Sequence, residues 1–478
     1  MGPRGVRTTP EGVAVLRMHV VRAGGVDYYV RDLVPGGSGV AGESPGVWTG
    51  HGSAVLGVRG TVGPDEFVEV LAGRDPHGER ALRSGRGSRS VAGVDLLFCA
   101  PKSVSLLHLL GPSELSEATG AGHRAAVGDA LAYVERAGLG VRRARAGGTA
   151  HLATTGAVAA GFVHRTSRSL DPHVHTHLVT ANVAQGVDGI WSSVDTRRLF
   201  RHRRPVEALY DSSLRRELSD RIGVSWERGP TGRWDIVGVD PVLCRLFSQR
   251  TASIDEHVFR AGAGSPGLRR IAFHVDRPAK EAGPTVDDLR SAWRRRAVDH
   301  DLDPADLVRV VGRARMRPAR AAVDPDEVSA RLALHAARRQ SLGTGDLVAL
   351  VADSSPSGLR VDDVEIAAAA LGRAATAAAS GGRHPEEGGA WTPAGTRMLP
   401  VGGRWDVRDV RRGLDATEAA LDGIGQDPAP GPRSMSARPG RADRGSEQGP
   451  GRDRGRVVPD RWRDGAAGRD PRERTAGW

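Results

Sequence analysis

Only 2 cysteines, Cys99 and Cys244, occur in 478 residues. That is too few for a disulfide framework or for a zinc cluster built on thiolates. Long apolar runs are missing too: none approaches the roughly 20 residues that a membrane-spanning helix needs. The N-terminal stretch carries Arg4 and Arg7 but no apolar segment of the kind a secretory signal contains. The expectation is a cytoplasmic protein with no membrane insertion. Aromatic residues make up 4% of the chain, and of its 4 tyrosines two are adjacent, Tyr28 and Tyr29.

What the chain has instead is positive charge: 68 Lys+Arg stand against 57 Asp+Glu, a formal charge of +11. A basic surplus favours polyanionic partners, because each phosphate contact releases condensed counterions. A basic isoelectric point also serves solubility alone, and almost all the cations are Arg in a chain rich in Ala, Gly and Val. That is the composition of a GC-rich coding sequence, so the preference for Arg over Lys carries little functional weight. The length allows two or three domains with a real core.

Residues 1 to about 12 read as a dispensable leader, with Met18 inside the first strand. Val13 to Val21 alternates as a strand, a short helix is expected around Tyr28 to Leu33, and the Gly/Pro/Ser-rich stretch Pro35 to Gly52 reads as loop. Val94 to Phe98 is a buried strand, stopped by Pro101 before a helix from Lys102 to Leu110. His123 to Ala137 has helical spacing. Two strands, His151 to His164 and His173 to Ala184, flank a polar turn containing Asp171-Pro172. Pro205 to Ile222 is an amphipathic helix. Strands beside helices without regular βαβ alternation predict an α+β fold on an antiparallel sheet. From about Val286 to Ala377 the pattern is helical. Beyond Gly425 the Pro/Gly/Arg/Asp composition offers too little apolar surface to offset the entropy of ordering, so a disordered tail is expected. The domain reading is therefore 13–300, a helical region 301–424, and a tail 425–478.

The string DPHVHTHLVTAN places His173, His175 and His177 on one side of a strand, since side chains alternate faces. His164, at the end of the preceding strand, can add a ligand from across the turn. Three neutral imidazoles leave positions open for water or substrate oxygens, as a catalytic ion requires. Four histidines compete for three places, and alternation alone does not choose between His173 and His177. Asp95 lies in an otherwise apolar strand, where a carboxylate is costly unless paired. It can orient a ligating imidazole or take a proton from a nucleophile. A Tyr pair is far more often packing than chemistry, but this one follows the first strand closely, and phenolate is a competent nucleophile toward phosphorus.

Two long strings, GVDLLFCAPKSVSLL (Gly93 to Leu107) and FVHRTSRSLDPHVHTHLVTANVA (Phe162 to Ala184), resemble the MobF class of conjugative relaxases, the TrwC/TraI-like members of the HUH endonuclease superfamily. Further matches run through Ala208 to Gly223 and Phe247 to Thr251, so the resemblance covers about Val13 to His300. It implies a palm-like antiparallel sheet flanked by helices, and a divalent metal ion held by His164, His175 and His177, with His173 left aside. It also implies Asp95 assisting the nucleophile or orienting a ligand, Tyr28 as principal nucleophile, and Tyr29 as the fallback. The implied reaction is site- and strand-specific nicking and rejoining of single-stranded DNA at a plasmid or conjugative transfer origin, through a 5′-phosphotyrosyl intermediate. Mg or Mn is the implied ion, although imidazole ligands also accept Zn, Ni and Co. A basic groove is expected around the strand. Lys102, Arg197, Arg198 and Arg201 are the candidate DNA contacts, and RRLFRHRR serves equally as a solvated face. The implied partners are origin DNA, a separate helicase, accessory origin-binding proteins and a coupling protein, with the chain itself a monomer.

Two departures bear on this reading. Relatives often carry a second Tyr pair shortly after the first; Gly36 to Pro45 contains none, so a second strand transfer by another tyrosine is not expected. The sequence also has no GxxxxGK[ST] loop. Ser341 to Leu371 resembles the lead-in to a helicase and Trp391 to Leu414 a remnant of one, but ATP hydrolysis is not predicted. Two other classes of function remain in view. A histidine-metal phosphodiesterase would turn over without a covalent adduct, and a non-catalytic origin-binding remnant would bind DNA indifferently to Tyr28→Phe. A replication initiator or transposase of the same superfamily would share the chemistry, but the order of the two strings favours the conjugative class.

Overall fold

The computed structural model describes residues 15–33, 43–84, 90–167, 169–229, 232–249, 284–312, 323–337, 339–380, 403–421 and 424, without the side chains of residues 28, 31–33 and 418–420. The leader, the segment 34–42 and the tail from 425 lie outside the described residues.

Five strands form the central sheet: β1 (Leu16–Arg22), β2 (Val47–Thr49), β3 (Val91–Cys99), β6 (Ala159–Thr166) and β7 (Pro172–Ala181). Their order is β1-β3-β7-β6-β2, with every pair antiparallel. The interior position of β3, between β1 and β7, explains its sequence. Both faces are covered, so VAGVDLLFC runs nearly continuously apolar instead of alternating. One face carries Leu16, Val94, Leu96, Phe98, Val174 and Leu178 against the helices α4 (Lys102–Leu110), α5 (Ser113–Tyr133) and α7 (Arg203–Ile222). The other face carries Val21, Ala160, Phe162, Val179 and Ala181. It packs on the short helices α1 (Val26–Leu33) and α3 (Pro64–Ala72), with α2 (His51–Leu56) between them in sequence. Phe67 stands edge-on to Phe162 at 5.5 Å and 6.2 Å from Trp48, which pins this smaller core.

Two sequence expectations need correction. His151 to His164 is not one strand: His151 belongs to β5 (Gly148–Leu152), which forms a separate ribbon with β4 (Val141–Arg145), and the sheet strand begins only at Ala159. The break contains Gly156 at φ +135°, where a Cβ would lie 2.7 Å from the Gly52 nitrogen. A left-handed backbone packed that closely cannot continue a strand. Likewise Pro35 to Gly52 is not all loop, because Val47–Thr49 pairs with Ala159–Gly161 as the edge strand. Three residues are too few to show a period.

Beyond the two-residue strands β8 (Ala184–Gln185) and β9 (Trp191–Ser192) come α6 (Thr196–Arg201), the ribbon β10 (Trp226–Arg228) and β11 (Trp234–Ile236), and α8 (Pro241–Leu246). The helical stretch after them consists of α9 (Val286–Val298), α10 (Pro325–Ala336), α11 (Thr344–Ala352), α12 (Val361–Ala379) and α13 (Val407–Leu421). Strands β12 (Ser341–Gly343) and β13 (Arg404–Asp406) pair beside them. These helices do not stand apart. Leu347, Val351, Leu371 and Val410 belong to the same apolar core as Leu209 and Leu214 of α7, and the described residues make one compact unit.

The junction is tight at Gly358, which sits at φ +77° with its absent Cβ only 2.0 Å from the Ser212 carbonyl oxygen. Gly358→Ala combines left-handed strain with a clash against backbone, and each contributes roughly 1–3 kcal/mol. Urea unfolding is expected to show a loss of about 2–6 kcal/mol at this position; a loss below about 1 kcal/mol would show that the seam yields easily.

Candidate active site

The site is assembled at the middle of the sheet, on the face that also carries α1. His175 and His177 lie two residues apart on β7 and so point the same way. The antiparallel register sets His164 of β6 directly opposite His175, and Leu97 of β3 opposite His177. The ligand atoms of His164, His175 and His177 all lie within 4.8 Å of one another, the one such His/Cys/Asp/Glu group among the described residues. Their rings meet at centroid distances of 5.2–5.4 Å, tilted or edge-on. His173 is not in the group and instead stacks on His175 at 4.8 Å.

Each of two rings has one nitrogen already committed. His177 Nδ1 is 2.8 Å from Asp95 Oδ2, and His175 Nδ1 is 3.0 Å from the His173 carbonyl oxygen. A ring that donates from Nδ1 keeps a lone pair on Nε2, which is the state a metal ligand needs. Burial, and then the neighbouring histidines, hold His175 well below the usual imidazole range, so it stands neutral. The donor set therefore suits a divalent cation of the kind that accepts nitrogen ligands.

Asp95 connects this group to the tyrosine pair. Its side chain is 2% exposed, and Oδ2 accepts from both His177 and the Tyr29 hydroxyl, the latter at 3.4 Å. Oδ1 is buried with no hydrogen-bond partner among the described residues. A buried carboxylate oxygen left without a donor is costly, and it is an acceptor in waiting. Tyr28 and Tyr29 are successive residues of α1, about 100° apart around the helix axis; the Tyr28 side chain lies outside the described residues.

The proposed DNA contacts divide. Arg197 and Arg201 are exposed on α6. Arg198 is half-buried, with Nε donating to the Ala137 carbonyl at 2.9 Å. Lys102 needs correction. Its ammonium turns inward and donates to the carbonyls of Pro172 and Phe247, both at 2.7 Å, and burial pushes its pKa down to about 8. A lysine holding two interior carbonyls ties elements together and is not an open anchor for phosphate.

Two contributors were missed from the sequence. Asp171, also 2% exposed, accepts from Gln249 N and Nε2 at 2.9 and 3.0 Å and faces Arg296 at 3.5 Å. With Lys102 it fixes the point where the histidine strand begins; the DP dipeptide signalled only a turn. Glu43 precedes β2, its Oε2 lying 3.6 Å from His164 Nε2 while Oε1 accepts from the Arg165 amide at 3.0 Å. Burial pushes its carboxyl above the usual range. It sits in a stretch read as plain loop, and no periodicity could have picked it out.

An antiparallel palm that gathers three imidazoles over its centre, with a tyrosine pair on the adjoining helix, defines a relaxase of the three-histidine class. Residues 12–300 match the TrwC relaxase family, and the chain belongs to that family. It is 36% identical over 278 residues to the multifunctional conjugation protein TraI of Escherichia coli, a match covering 52% of this chain and 15% of TraI. TraI of strain K12 is 35% identical over 285 residues, 54% of this chain and 16% of that protein. The chain thus spans only a small part of these relatives. Among solved structures, the metal-bound conjugative relaxase TrwC in complex with OriT DNA aligns at a TM-score of 0.54 with 30% identity, covering 61% of this chain and 100% of that one. TrwC complexed with a 27-mer comprising the recognition hairpin and the cleavage site aligns at 0.53 with 31% identity, over the same shares.

Proposed function

We propose that this chain nicks and rejoins one strand of DNA at the transfer origin of a plasmid or conjugative element, with Tyr28 as the nucleophile. The carrying observation is Asp95, one buried carboxylate that touches both a histidine of the triad and the tyrosine pair. The phenol oxygen attacks the scissile phosphorus while its proton passes to Asp95 Oδ1. The bond from phosphorus to the 3′-oxygen breaks, and that oxygen leaves as a 3′-hydroxyl after taking up a proton from water. The product is a 5′-phosphotyrosine whose new ester bond conserves the energy of the broken one, so the 3′-hydroxyl can reverse the step and reseal the strand. When bound by His164, His175 and His177, a divalent ion supplies positive charge to a non-bridging phosphate oxygen. Mg or Mn is the proposed ion. Asp95 holds His177 in the required tautomer, and Tyr29 anchors α1 against the same carboxylate. The OriT complexes of TrwC support a single strand carrying a recognition hairpin beside its cleavage site as the substrate. Arg197 and Arg201 are proposed to meet its backbone. A helicase on another polypeptide, accessory origin-binding proteins and a coupling protein are the proposed partners, the chain acting as a monomer in the cytoplasm.

The test uses the full chain, because the helices after residue 300 share the core of the sheet. Single-stranded oligonucleotides spanning candidate origins of its own element are incubated with Mn or Mg and resolved on a denaturing gel. A covalent protein–DNA adduct is expected, lost in Tyr28→Phe and in His175→Ala and retained in Tyr29→Phe. Adduct lost only in Tyr29→Phe would move the nucleophile one residue. Free cleavage products without adduct would identify a hydrolase, and tight binding without either product a non-catalytic origin-binding protein.

A further inference from the structure

Asp95 supplies one negative charge behind His177. A dication bound by three neutral imidazoles would still carry one uncompensated positive charge within a mostly buried site, and such a charge is expensive without a partner. We propose that Glu43 is the second carboxylate of the metal site, holding His164 and neutralising the remaining charge.

The geometry supports this in three ways. Glu43 Oε2 stands 3.6 Å from His164 Nε2, so the carboxylate reaches the triad on the side opposite Asp95's ligand, and the two acids address different histidines. The Glu43 side chain is only 7% exposed, so its charge is withdrawn from water and needs positive charge nearby, of which Arg165 already supplies part. Its backbone segment is clasped to the ligand strand, Oε1 accepting from the Arg165 amide at 3.0 Å and Arg165 Nη2 donating to Ser44 Oγ at 3.2 Å. These bonds aim the remaining carboxylate oxygen at His164. Together the two carboxylates match the charge of a divalent ion, which three imidazoles alone would not do. Glu43 is thus a positioning residue that supplies charge to the site.

The inference rests on the reading of the three histidines as ligands. Its test is calorimetric titration of the full, metal-stripped chain with Mn and, separately, with Zn, without DNA. Glu43→Gln keeps the acceptor for the Arg165 amide and removes only the charge. It is expected to bind Mn about 10- to 100-fold more weakly, the cost usual for loss of an outer-sphere partner, with a loss of similar size for Zn and an unchanged melting temperature of the metal-free protein. Glu43→Asp, which retains the charge, is expected to recover part of the Mn affinity. Unchanged Mn affinity in Glu43→Gln, while His175→Ala abolishes binding, would overturn the role of Glu43 and leave the triad standing. Unchanged affinity in His175→Ala as well would overturn the metal reading itself.

Discussion

Asp95→Ala should cripple the site twice over, weakening metal binding by about 10- to 100-fold and slowing adduct formation by about 10²- to 10⁴-fold at saturating metal. The first effect follows from His177: without Oδ2 at 2.8 Å, nothing holds its proton on Nδ1 or fixes the ring. The second follows from Oδ1, the buried oxygen without a partner among the described residues, which is where the phenol proton is proposed to go. The two are separable. Asp95→Asn keeps an oxygen for His177 and so should retain most of the metal affinity, yet it lacks the basicity to accept a proton. Metal titration alongside adduct formation at saturating metal distinguishes them. An Asn variant that forms adduct at the wild-type rate would remove Asp95 from proton transfer and leave it an orienting role alone.

Arg215→Ala should be the most destabilising single change in the helical seam, by about 3–5 kcal/mol in urea unfolding. Its side chain is fully buried. Nη1 lies 2.5 Å from Asp211 Oδ2, and Nη2 donates to the carbonyls of Ala352 and Ser355 at 3.0 and 3.1 Å. The guanidinium also faces the Trp234 ring at 4.8 Å. Truncation leaves the largely buried Asp211 carboxylate and two buried carbonyls without their donor, and the cost of that orphaned charge exceeds the net worth of the pair. Arg215→Met with Asp211→Leu removes both charges and should recover much of the loss. Equal destabilisation in the single and double variants would place the cost in packing instead. Since Arg215 lies on α7 and its carbonyl partners lie at the end of α11 and just beyond it, the same experiment tests whether the region after residue 300 folds with the sheet.

The histidine strand was legible because a strand's period is two: HVHTH can present its imidazoles only to one side. Helix α4 was legible end to end, since Pro101 sets its start and an apolar run carries it to Leu110. Helix α7 was legible from its amphipathic spacing. The strand β2 was not, being three residues long at a sheet edge, nor was the break at Gly156, whose cause is a close approach of residues some hundred positions earlier.

The sequence by itself determined the local geometry and the chemical types: which histidines share a face, that a carboxylate lies inside an apolar strand, and that a tyrosine pair follows the first strand. Tertiary structure alone decided the rest. Antiparallel register, not spacing, set His164 against His175 and left His173 to stacking. Folding turned Lys102 inward onto two carbonyls and brought Glu43 to His164 across 121 positions of sequence. The physical reason is range. Dihedral preferences and periodicity act over a few residues, whereas charge compensation and carbonyl satisfaction depend on whatever the packed chain brings alongside.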